Sequence, residues 1–80
     1  MNPVSDSEID KAILAVAVAH WRKVALVISQ SKDILSNALP EGEAGLDLIA
    51  NRIEALIQSG HLLAQGNVKK WRHSEVRKPE

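Results

Sequence analysis

No cysteine, phenylalanine or tyrosine occurs in this 80-residue chain, and two tryptophans are its only aromatic residues. Without cysteine there is no disulfide framework, thiolate nucleophile, haem-attachment motif or cysteine-based zinc site, so stability has to come from packing alone. Net charge is also missing, because ten Lys and Arg balance ten Asp and Glu. Long hydrophobic runs are absent. The longest, Ala12 to Ala19, has eight residues, against the roughly 20 needed to cross a bilayer. It follows an acidic rather than a basic leader, so the expectation is a cytoplasmic protein with no secretory signal and no membrane contact. What is present is 45% hydrophobic residues, well outside the disordered range of composition. A chain this short buries only about 60 to 65% of its unfolded surface. A single domain with a small core is therefore expected over 1–80, ordered from about 6 to 77.

Ser5-Asp6-Ser7-Glu8 reads as a capping box, and Asp6, Glu8 and Asp10 favour the positive end of a helix. Ile9, Ile13, Val16 and Ala17 form one stripe at helical spacing, widened by Leu14 and Val18. Four alanines and the upstream cap favour helix over buried strand for Ala12 to Ala19, with His20 and Trp21 ending the run. Val24, Val27, Ile28, Ser31 and Leu35 predict a second helix from about residue 21 to the mid-thirties. Pro40, Gly42 and Gly45, with Glu41 and Glu43 among them, mark a loop from Ser36 to Ala44. Leu46, Ile49, Ala50, Ile53, Leu56 and Ile57 give the cleanest amphipathic repeat, with Gly60 placed as its left-handed stop. Beyond Gly60 the period alternates. Gly66-Asn67 suits a two-residue hairpin turn, pairing Gln65 with Val68 and Leu63 with Lys70 and setting Leu62 opposite Trp71. That register puts Leu62, Ala64 and Trp71 on one face and allows a buried His73. Lys78-Pro79-Glu80 has nothing to bury and is expected to fray.

Three helices followed by a hairpin, mainly α with a small β-hairpin, resemble a winged helix-turn-helix domain from about Ile9 to Arg77. The sharpest part is Asn51-Arg52-Ile53-Glu54-Ala55-Leu56-Ile57-Gln58-Ser59-Gly60-His61-Leu62. It is similar to the recognition helix, glycine stop and first wing strand of many bacterial winged-helix regulators, in which R-(I/L)-x-x-L-x-x-x-G-x-(L/I) recurs. The Trp71-Arg72-x-Ser74-Glu75-Val76-Arg77 ending is similar to small bacterial winged-helix families of unknown function. The resemblance implies DNA binding by a small transcriptional regulator. The chain departs from it in the connection between the second and third helices, which is longer than the usual turn of about three to four residues.

Phosphate contacts supply most nucleic-acid affinity, so a binding surface needs concentrated positive charge. Residues 68 to 78 carry Lys69, Lys70, Arg72, Arg77 and Lys78 against Glu75 alone, five charges less one, a balance of +4. A basic wing could grip a minor groove or backbone; the same residues could equally protect a hairpin edge from pairing with another edge. On the third helix Asn51, Arg52 and Gln58 suit base readout, whereas Glu41, Glu43 and Asp47 at its start would repel phosphate. Arg52 could instead pair with Asp47 or a loop carboxylate. His20, His61 and His73 lack the spacing of a metal site, and no cofactor is expected. Paired carboxylates fall only on caps and loops, so no enzyme is expected. Trp21 beside Leu26 would be a partner-binding anchor if exposed. Double-stranded DNA and a protein partner therefore stay as alternative ligands. A weak homodimer is a further expectation, because Leu14, Val18 or Leu26 is left at the surface unless Trp21 and the Ser36 to Ala44 loop fold over it.

Overall fold

A computed structural model describes residues 4–79. Helix α1 (Asp6–Val16) begins at Ser5, whose hydroxyl accepts from the Glu8 N–H at 3.2 Å and donates to the Glu8 carboxylate at 3.3 Å. The expected cap thus forms, with Asp6 and Glu8 in the positively polarised first turn. The helix stops earlier than its apolar run suggests. Ala17 is buried but extended, and the Val18 carbonyl accepts from the Lys78 N–H at 2.8 Å. The run therefore leaves the helix at Ala17 and is tied at Val18 to the C-terminal segment, with Ala19 exposed, and Lys78 is tied down rather than frayed; Glu80 lies outside the described residues.

A two-residue strand β1 (Arg22–Lys23), unforeseen in the sequence, precedes α2 (Val24–Leu35). Lys23 offers no side-chain cap to α2; the first amide, on Val24, donates to the Ser74 carbonyl at 3.0 Å. Val24, Val27, Ile28 and Ser31 form its buried stripe, as the spacing predicts. A short 3₁₀ turn at Ser36–Ala38 leads to buried Leu39, and α3 runs Glu43–Gln58, so Glu43 and Ala44, expected in the loop, belong to the helix. Gly60, at φ +84°, ends it: its N–H reaches Ile57 O, and the His61 N–H reaches Leu56 O. The core joins Ile9, Ile13, Val27, Ile49, Ile53 and Leu62, each essentially inaccessible.

Strands β2 (Leu63–Gln65) and β3 (Glu75–Arg77) complete an antiparallel sheet of order β1-β3-β2, with Leu63 opposite Arg77, Ala64 opposite Val76 and Gln65 opposite Glu75. The two-residue turn expected at Gly66-Asn67 does not form. Gly66 does adopt φ +79°, but Asn67 then curls the chain, accepting the Lys69 N–H on its side chain and the Lys70 N–H on its carbonyl. The loop continues through a 3₁₀ turn, Trp71–His73, which packs on α2. Buried Ser74 closes it by donating to the Lys70 carbonyl at 2.9 Å. A side chain at 66 would come within 2.7 Å of the His73 carbonyl, so the loop folds over its own glycine. The expected register is corrected accordingly: Leu62 is buried without facing Trp71, Ala64 is exposed, Trp71 is half-buried and His73 is exposed.

Candidate functional site

The β2–β3 loop gathers Lys69, Lys70 and Arg72 near the start of α3. Together with Trp71 they line one wall of an open cleft of about 550 Å³, whose other wall is Glu43, Leu46 and Asp47. Lys69 pairs with Glu54 on α3 at 3.2 Å, although its side chain stays largely in water. Lys70 and Arg72 are exposed, and among the described residues neither side chain enters an ion pair. Lys23 steadies the loop by donating to the Arg72 carbonyl at 3.3 Å. Arg77 lies apart on β3, its guanidinium 5.1 Å from the Trp21 ring centroid and 3.4 Å from the Ala19 carbonyl. The structure thus brings three of the basic candidates together and places Arg77 elsewhere.

Asn51 is exposed on α3, but Arg52 turns inward to α1. It donates from Nε and Nη2 to both oxygens of Asp10 at 2.9 Å, and Nη1 lies 3.5 Å from Asp6. The hydrogen bond to Asp10 raises its already high pKa, against the opposing effect of desolvation and with the added attraction of Asp10 and Asp6. The partner is neither Asp47 nor a loop carboxylate. Asp10 and Asp6 of α1 hold the one arginine of α3, leaving Asn51 and Gln58 as the exposed base-reading side chains on that helix.

Trp21 is half-buried beneath Arg77, whereas Leu26 is 42% exposed. Leu14 and Val18 are half-buried. His61 Nδ1 meets the Ser59 hydroxyl at 2.7 Å. Among the described residues no group of three or more His, Cys, Asp or Glu is placed to hold a metal, and no helix is long and apolar enough to cross a membrane. Sequence reading missed the cleft beside Trp71. Its available signal was the alternation Lys69-Lys70-Trp71-Arg72-His73, an aromatic ring with cations on either side. No protein-family model, curated protein or solved structure matches the chain.

Proposed function

We propose that the chain is a winged-helix nucleic-acid-binding module, of the small transcriptional regulator class, that grips duplex DNA through the β2–β3 loop as its wing. The element order, helix–strand–helix–helix–strand–strand with the sheet order β1-β3-β2, is compatible with that layout. The observation that carries the reading is the pair of exposed cations, Lys70 and Arg72, on a loop buttressed by Trp71, Ser74 and Lys23. Arg52 is committed to Asp10, and Glu43 and Asp47 flank the start of α3, so the wing leads and α3 follows. Binding of this kind is dominated by phosphate contacts and weakly selective for sequence.

A salt titration on random duplex DNA tests it. Affinity is expected to fall steeply with salt, and the double variant Lys70→Gln, Arg72→Gln to flatten the log–log slope by about 2, nearly one per lost phosphate contact. No complex at low salt and tens of micromolar protein would refute the reading.

A protein-interaction module on the same scaffold is the second reading. It is favoured by the exposure of Leu26 (42%), Ile34 (58%) and Leu48 (39%).

A further inference from the structure

Trp71 is the wall common to two clefts. The first, described above, opens toward the start of α3; the second, about 480 Å³, opens along α2 between Ser29, Lys32 and Asp33. Leu46 and Arg72 also line both. The indole packs partly against the core cluster and is half-buried. An aromatic ring held in this way loses little conformational entropy when something stacks on it. Lys69, Lys70 and Arg72 surround it with cations. This combination, a fixed aromatic face beside a cationic track, is how unpaired nucleic-acid strands are held: the base stacks and the backbone meets Lys and Arg.

Glu43 and Asp47 in the first cleft would oppose a phosphate there, so the phosphate must stay on the Lys70 and Arg72 side. A carboxylate is, however, a good acceptor for the exocyclic amino group of a base, as in Asp or Glu accepting from cytosine N4. The volume, about 550 Å³, falls within the roughly 300 to 1,000 Å³ of ordinary ligand clefts. We propose that the Trp71 cleft binds an unpaired, amino-bearing nucleobase of a single-stranded nucleic acid, stacked on the indole with its amino group toward Glu43 or Asp47 and its phosphates on Lys70 and Arg72. The proposal rests on the reading of the loop as a nucleic-acid grip and extends it from duplex backbone to unpaired strand.

The test uses the full chain carrying Trp21→Phe, so that Trp71 is the only tryptophan. Short oligo(dC) is expected to quench its emission and to bind about tenfold more tightly than oligo(dT), which offers no exocyclic amino group. Removing both acceptors, Glu43→Ala with Asp47→Ala, is expected to shrink that ratio. Trp71→Leu, which keeps an apolar side chain against the core, is expected to weaken oligo(dC) binding about ten- to hundredfold. Should Trp71→Leu fail to fold, the double variant Glu43→Ala, Asp47→Ala, at two exposed positions, decides, and an unchanged ratio would overturn the base assignment. Duplex binding with unaltered Trp71 emission and equal affinity for oligo(dC) and oligo(dT) would overturn this proposal and leave the wing reading standing. Failure of duplex and single strand alike at low salt would end both. Quenching by cytidine monophosphate as strong as that by the oligomer would replace a strand site with a mononucleotide pocket and overturn the proposal as stated.

Discussion

Gly45 shows how a residue's meaning depends on what it touches. Inside a helix glycine costs about 1 kcal/mol relative to alanine, so intrinsic propensity alone makes Gly45→Ala stabilising. In α3, however, a β-carbon at this position would run into the Pro40 carbonyl and meet Leu39 Cβ at 3.5 Å. The substitution is expected to destabilise by about 1 to 3 kcal/mol, the usual cost of overpacking, as read from urea melts. A gain in stability would show that the loop around Pro40 yields freely. The sequence carried half of this: Pro40, Gly42 and Gly45 announced a break in structure, but a glycine required by close approach looks the same in a sequence as one required by a turn. Arg52 was similarly half-legible. Its place on the third helix was readable, but its inward turn to α1 was not, because its partner Asp10 lies 42 positions away and already had a sufficient local explanation as a helix-start carboxylate.

Among the elements, the three helices were legible and the sheet largely was not. Each helix repeats its apolar spacing at three- and four-residue steps, and the stripes Ile9-Ile13-Val16, Val24-Val27-Ile28 and Ile49-Ile53-Leu56 are all buried. Strands of two or three residues contain too few positions to display a period of two, so β1 left no trace and β3 was placed too early. Gly66-Asn67 misled because glycine did take its positive φ while the packing of the Trp71 turn on α2 and the core decided where pairing resumed. The contact between α1 and α3 through Arg52 and Asp10 offers an element-scale test that separates structure from recognition. Arg52→Gln is expected to lower the urea midpoint, because it removes a bidentate charged contact between two helices. It is expected to leave duplex affinity nearly unchanged under conditions where the variant is folded. A folded Arg52→Gln protein with strongly reduced DNA binding would make α3, and not the loop, the primary grip.

At the scale of the whole molecule, the radius of gyration of 11.6 Å matches the roughly 12 Å of a compact chain of this length. The β2–β3 loop packs on α2 through Trp71–His73, and among the described residues the large apolar side chains left in water are few: Leu26 and Ile34 on α2, Leu48 on α3 and Leu63 on the edge strand β2. Leu14 and Val18, expected as part of the seam of a homodimer, are half-buried, and the Val18 carbonyl is taken up by the Lys78 N–H. Self-association then falls to α2, where Leu26, Gln30 and Ile34 follow one another at four-residue steps along one face. Gln30 interrupts this stripe and is engaged with Arg22 at 3.4 Å. Two separated apolar side chains cover far less than the about 800 Å² per partner of a stable interface. The expected behaviour is a monomer at micromolar concentration that associates only toward hundreds of micromolar, with the association removed by Leu26→Glu or Ile34→Glu. Sedimentation equilibrium across that range checks it. A dimer that persists at low micromolar concentration and ignores both substitutions would place the interface elsewhere, with Leu48 of α3 and Leu63 of β2 as the next surfaces to change. If Leu48→Glu then dissolved that dimer, the second copy would occupy the outer face of α3, and protein association would displace DNA binding as the use of that helix.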